Sequence, residues 1–166
     1  MDGSREACNP RGMEQSPPES NAAPVINQHL GGWNRAMGLS FVTATASLIV
    51  GELTVGEQHL QPYGIVHGGV HAGIIEAACS TGAAIYSAPS GQTVVGLENS
   101  TSFLRACRGG RLRVTARPLA QGRRSQVWEA IVEDESGKAV ASGRVRVLCL
   151  EPGAALAGAA VKIAGA

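Results

Sequence analysis

The sequence predicts an α+β protein in which a curved antiparallel β-sheet wraps around one long central helix. Three observations carry that expectation. The stretch from about Gly69 to Tyr86 has helical spacing and is apolar nearly all round, which marks a buried helix. Two β-prone runs precede it and four follow it, the later ones separated by short turns. The chain has 166 residues, 44% hydrophobic and 16% charged, which fits one globular domain with a core of ordinary size. A surface so short of charge, and a sheet whose second face also needs cover, lead us to expect an oligomer.

In chain order, residues 1–24 are rich in Pro, Ser, Gly and Asn and read as a flexible N-terminal tail. The domain proper is expected over 25–150. Val25 to Ala36 reads as a short helix capping the core, with Ile26, Leu30 and Trp33 at helical spacing, although Gly31-Gly32 weakens it. Leu39–Thr45 and Leu48–Val55 read as a pair of strands, with Gly51 as a bulge or bend. Gly56–Val66 is a connection carrying Gln58, His59, Gln61 and Pro62, either an ordinary polar loop or the wall of a site. After the long helix, Ser87–Gly91 is a stop signal.

Strands are then expected over 93–104, 111–119, 125–133 and 139–150, as an antiparallel meander. In the second of these, Leu112, Val114 and Ala116 alternate with Arg111, Arg113, Thr115 and Arg117. Asp134–Lys138 carries hairpin-turn residues. Residues 151–166 are rich in Ala and Gly and read as a loose tail.

Composition excludes several classes. A net charge of +1 provides no field for a nucleic acid or a membrane surface, so neither is expected as a partner. Cys8, Cys79, Cys107 and Cys149 are far apart and form no C-x-x-C, so they read as free thiols without a zinc framework. No apolar run has membrane-spanning length and the N-terminal stretch does not read as a signal peptide, so a cytoplasmic location is expected.

From Gln58 to Leu97 there is no Lys, Arg or Asp and a single Glu, Glu76. It stands in the run Ala72–Cys79, with nothing polar beside it. An ionised carboxylate in apolar surroundings is costly unless it has a partner or a raised pKa. On residues alone Glu76 reads equally as a structural acid and as a catalytic one. Ser80 lies four residues on and shares its face. His67-Gly68-Gly69 opens the helix, where free N–H groups and the helix dipole suit a carbonyl that develops negative charge. His67 and His71 are also four apart, but two histidines without a third ligand are a weak metal signal, and His71 reads as a packed residue. No G-x-S-x-G is present and no Asp is placed to orient a histidine, so a Ser-His-Asp triad is not supported.

Three blocks in order carry a family resemblance over roughly Gly38 to Leu150. They are Gln61-x-x-Gly64-Ile65-Val66-His67-Gly68-Gly69 followed by Glu76; Val95-Gly96 and Asn99-Ser100-Thr101-Ser102-Phe103-Leu104-Arg105; and Gln121-Gly122-Arg123-Arg124-Ser125-Gln126-Val127-Trp128-Glu129. With these blocks the chain resembles the hotdog-fold acyl-CoA thioesterases of the PaaI-like family, in particular its Arthrobacter-type 4-hydroxybenzoyl-CoA and enterobactin-proofreading branches. The resemblance implies that Glu76 is the catalytic carboxylate, acting as nucleophile or as general base. It implies that the Gly68 N–H polarises the thioester carbonyl, with Gly69 beside it. Gln61 would position substrate or water, His67 would hold the local geometry, and Ser80 would orient the attacking group. Arg105, Arg123 and Arg124 would meet CoA phosphates, although the family often has Ser or Thr where this chain has Arg123-Arg124.

The resemblance also implies an acyl-thioester substrate, an aromatic acyl-CoA ahead of a medium-chain fatty acyl-CoA or an acyl group on a carrier protein, with no metal and no cofactor, and dimers paired into tetramers with sites between subunits. Two other classes occur on this fold. A hydratase or dehydratase would use a His/Asp pair, and no Asp lies in the connection before the helix. A non-catalytic acyl-CoA-sensing module would be fused to DNA-binding helices, and the N-terminal tail has no helix-turn-helix pattern.

Overall fold

A computed structural model describes residues 19–160, so Cys8 and the outer parts of both expected tails lie outside the described residues. The strands are β1 (Ser40–Ala44), β2 (Ile49–Thr54), β3 (Thr93–Phe103), β4 (Arg111–Gln121), β5 (Ser125–Glu133) and β6 (Ala139–Leu150). They form one antiparallel sheet in the order β1-β2-β4-β5-β6-β3. The short helices α1 (Ala23–His29) and α2 (Gly32–Ala36) precede it, and the long helix α3 (Gly68–Ser87) packs across one face. A final pair, β7 (Ala155–Leu156) and β8 (Ala159–Ala160), forms a small hairpin within the stretch expected to be a loose tail.

The core lies between α3 and the sheet. Ile74, Ile75, Ala78, Cys79 and Ala83 of the helix meet Leu53, Leu112, Val114, Trp128, Val132, Val145 and Val147. The alternation read in β4 appears as burial: Leu112, Val114 and Ala116 face inward, while Arg111, Arg113 and Arg117 face solvent. Trp128 is the largest fully buried side chain. Its indole lies on Gly82 of α3, and its Nε1 donates to Gln126 Oε1 at 3.0 Å. The Gln126 amide in turn donates to Ser87 Oγ at 2.9 Å and to the Ala83 carbonyl at 3.2 Å. Every buried polar group in this small network has a partner, as a dry core requires.

Several expectations are corrected. The four strands after α3 are not a simple meander: β4, β5 and β6 are, but β3 lies at the far edge, beyond β6. The cause is α3, a helix of 20 residues that crosses the sheet face and delivers the chain to the opposite edge. The single helix expected over 25–36 is two helices, broken at Leu30–Gly31, with Gly32 at φ +54°. The first of them begins at Ala23 with Pro24 in its first turn, and Glu19 and Asn21 already bond to 44–47. The bulge in the first hairpin falls at Val42, across from Gly51, rather than at Gly51 itself. Gly51 is small because a Cβ there would stand 3.1 Å from Val114 and 3.3 Å from Leu39.

The two sheet edges differ. Along β1, the carboxamides of Asn21 and Asn27 act as a substitute strand: Asn27 bonds the Phe41 N–H and carbonyl, and Asn21 bonds the Ala44 N–H and the Val42 carbonyl. β3 is 11 residues long and pairs on one side only, with β6. Such an edge presents a free row of backbone donors and acceptors.

β3 also carries a bulge at Leu97. Gly96 pairs with Val147 and Glu98 with Arg146, which leaves Leu97 as the extra residue. The bulge reverses the alternation of the strand. Val94 and Gly96 face α3 before it, and Asn99, Thr101 and Phe103 face α3 after it. Glu98, Ser100 and Ser102 turn to the outer surface, where Glu98 meets Arg146 at 3.4 Å.

Candidate active site

The N-terminus of α3 is built by His67. Its backbone is extended, and its Nδ1 accepts the Gly69 N–H at 2.9 Å, so the imidazole is the helix cap. This contact assigns the ring proton to Nε2. The Gly68 N–H, one of the donors every helix start leaves over, takes up no acceptor among the described residues. Phe103 covers the same spot, since a Cβ on Gly68 would stand 2.7 Å from its ring.

About two turns further along α3 stands Glu76. It is half-buried rather than enclosed, at the floor of an open cleft of ≈ 880 Å³. The expectation of a carboxylate in a dry apolar run is corrected accordingly, and the requirement for a partner is met twice. Ser80 Oγ donates to Oε1 at 3.0 Å, and Asn99 Nδ2 donates to Oε2 at 3.0 Å. Ala72, Gly73, Ala77 and Ala84 make the helix side of this cleft, and Val94, Thr101 and Phe103 make the strand side. The exposed indole of Trp33 closes one end, lying on Gly73 so closely that a Cβ there would meet Nε1 at 2.9 Å.

The residues singled out in the sequence therefore fall into three places. Glu76 and Ser80 share the first cleft. Gln61, His67, Gly68, Gly69 and Arg105 line a second cleft of ≈ 520 Å³ at the helix N-terminus, together with His71. Phe103 is a wall of both and separates them. Arg123 and Arg124 belong to neither. They lie in the β4–β5 turn, where Arg123 pairs with Glu151 at 3.4 Å and its carbonyl accepts from Gln92. Gln61 is placed by a tight loop in which its N–H bonds the Ile65 carbonyl and its carbonyl accepts the Gly64 N–H, with Gly64 at φ +68°.

Two buried groups complete the electrostatic picture. His71 is buried against Phe103, with ring centroids 6.3 Å apart, and its Nδ1 has no partner. Burial lowers its pKa, so the ring is neutral at pH 7. Cys79 lies deep under α3. Burial, and then the Glu76 and Glu129 carboxylates, push its thiol pKa up to about 12, which leaves it without thiolate character.

The sequence gives no role to Asn99, Thr101 or Gly96, and places Trp33 on the core rather than in a cleft. Asn99 and Thr101 are helix-facing only because of the bulge at Leu97, which no residue in the strand announces, and Gly96 faces the helix just ahead of it. Trp33 was assigned to the core by its spacing from Ile26 and Leu30, a spacing that the break between α1 and α2 removes.

Comparison with known proteins identifies the family. Residues 63–141 match the thioesterase superfamily. The Rv1847 protein of Mycobacterium tuberculosis is 38% identical over 117 residues, which cover 69% of this chain and 84% of that protein. Its solved structure superposes with a TM-score of 0.71 at 36% identity, over 72% of this chain and 96% of the other. The proofreading thioesterase EntH of Klebsiella pneumoniae is 35% identical over 102 residues, 61% of this chain and 74% of EntH. The 1,4-dihydroxy-2-naphthoyl-CoA hydrolase of Escherichia coli K12 is 36% identical over 99 residues, 59% of this chain and 71% of the hydrolase. With its sheet folded around α3 and relatives of this kind, the chain belongs to the hotdog-fold thioesterase superfamily, a family of thioester hydrolases.

Proposed function

We propose that the protein hydrolyses acyl-CoA thioesters, preferring an aromatic acyl group, at a site completed by two copies of the chain. The observation that carries this reading is the Glu76 carboxylate, held by neutral donors at the floor of an open, largely apolar cleft. In this reading a carboxylate oxygen attacks the thioester carbonyl and expels the CoA thiolate, leaving a mixed anhydride that water hydrolyses. Alternatively it takes a proton from the attacking water. Both routes build negative charge on the carbonyl oxygen. The Gly68 N–H and the helix dipole stabilise that charge, and a donor of this kind is typically worth about 3 kcal/mol of barrier.

Within one copy these two parts are too far apart to share a substrate. Glu76 lies roughly 12 Å beyond Gly68 along the axis at ~1.5 Å per residue, whereas a reacting carbonyl needs each within about 3 Å. Phe103 stands between them. A second copy, turned so that its own helix N-terminus reaches the Glu76 cleft, resolves this separation. The long unpaired edge of β3 favours such an association. Gln61 and His67 then act beside the incoming carbonyl, and Ser80 orients the attacking group. Arg105, and with it Arg123 and Arg124, is the proposed contact for CoA phosphates. The dimer-of-dimers assembly and the cytoplasmic location belong to the same reading. The pairing of dimers into tetramers rests on the family resemblance, and the location on the composition of the sequence; no helix of the described residues is long and apolar enough to cross a membrane.

The test follows free thiol release from benzoyl-, hydroxybenzoyl-, phenylacetyl- and medium-chain fatty acyl-CoA. Glu76→Gln and Glu76→Ala are expected to lose roughly 10²- to 10⁴-fold in turnover, the range typical of a catalytic acid–base group, with unchanged circular dichroism. Full activity in both variants would end the assignment. Binding of acyl-CoA without any thiol release by the native protein would leave a binding module instead.

A further inference from the structure

Resting on the role proposed for Glu76, we infer that Asn99 is a positioning residue. It pins carboxylate oxygen Oε2 so that Oε1 is the oxygen presented to the substrate. Asn99 Nδ2 donates to Glu76 Oε2 at 3.0 Å and to the Ala72 carbonyl at 3.0 Å. Both amide hydrogens are thereby committed, one to the carboxylate and one to the helix backbone a turn earlier. Asn99 Oδ1 accepts from Thr101 Oγ1 at 2.6 Å. The amide has one sensible orientation, because flipping it would set its oxygen against two acceptors, the Glu76 carboxylate and the Ala72 carbonyl.

The other oxygen is held differently. Among the described residues Oε1 accepts only from Ser80 Oγ, at 3.0 Å, and a hydroxyl on a single rotor can turn away from it when a water or carbonyl arrives. Gly96 keeps a side chain off this oxygen. Among the described residues no salt bridge reaches Glu76. A neutral amide fixes the direction of the carboxylate while leaving its charge unpaired, whereas a lysine or arginine there would fix it and also weaken it as a base. The bulge at Leu97 brings Asn99 and Thr101 to the helix side together, so clamp and support come from one feature of the strand.

The experiment uses the full chain and whichever acyl-CoA it hydrolyses fastest. Asn99→Ala is expected to lower kcat about 10²-fold, the scale of a catalytic group displaced by about 1 Å, with KM little changed. The acid limb of its pH–rate profile should move to higher pH, because a donor to the charged form has gone. Asn99→Asp, nearly isosteric, should move that limb further, since two carboxylates at hydrogen-bonding distance resist ionising together. Thr101→Val should give a smaller loss of kcat in the same direction. A merely structural Asn99 would lower thermal stability and the fraction of active protein but leave the acid limb in place, and that result would overturn the inference. Native kcat and an unmoved acid limb in Asn99→Ala and Asn99→Asp, beside an inactive Glu76→Gln, would overturn it while sparing Glu76. An active Glu76→Gln would remove both.

Discussion

Gly96 and Glu76 touch across the strand–helix boundary: a methyl group on Gly96 would stand 2.8 Å from the carboxylate Oε1. Gly96 is not among the glycines with positive φ, so alanine is allowed by the backbone. The substitution removes chain entropy from the unfolded state, which by itself favours folding by about 0.4–1 kcal/mol. Gly96→Ala is therefore expected to leave stability unchanged or slightly raised while lowering kcat at least ~10-fold through displacement of the carboxylate. Urea unfolding curves and steady-state kinetics on the same preparation check both halves. A variant with full activity would show that the position of Oε1 does not limit turnover.

Gly82 presents the opposite balance. In a helix, alanine is favoured over glycine by about 0.8–1 kcal/mol. At this position, however, a Cβ would enter the indole of Trp128, which is fully buried and tied through Nε1 to Gln126. Overpacking of this kind costs about 1–3 kcal/mol, so the steric term wins and Gly82→Ala is expected to destabilise the fold. The urea midpoint should fall, with the burial of Trp128 fluorescence partly lost. A rise in midpoint would show that the indole moves aside freely.

His71 makes stability sensitive to mild acid. Burial holds it below the ordinary histidine value of 6.5, so the unfolded chain takes up this proton before the folded one does. Its contribution is complete above about pH 6.5 and is lost as the pH falls toward the lower folded-state value. Two carboxyls act lower: those of Glu19 and Asp134 are depressed, the first by the nearby Thr45 hydroxyl and the bonds it accepts from Ser47, the second chiefly by Ser136. His71→Leu should therefore flatten the unfolding free energy between about pH 7 and pH 5.5 without altering the fall below about pH 4. An unchanged slope in that variant would assign the sensitivity elsewhere.

Much of this molecule is legible from composition and period. The helix that is apolar all round and the inward Leu112, Val114 and Ala116 each follow from a local rule, and each is found in place, whereas Glu76 stands half-buried in a cleft with two partners rather than alone in a dry interior. What escapes local reading is set by partners distant in the chain. Gly82 looks like a weakness in α3 until Trp128 is seen lying on it. Strand β3 looks like the neighbour of β4 until the crossing of α3 carries it to the other edge. Asn99 looks like one polar residue among several, and only the cross-strand register distinguishes it from Ser100.

The extra residue at Leu97 leaves the far half of β3 in a reading frame of its own. A slip that drew Leu97 into the ladder would turn this half inside out, sending Asn99, Thr101 and Phe103 to the outer surface and Glu98, Ser100 and Ser102 against α3. No side chain that performs chemistry would have been altered, and the sheet would still pair. An inventory of residue types would miss such a slip, so a protein of this kind has to be compared by register along this edge as well as by composition.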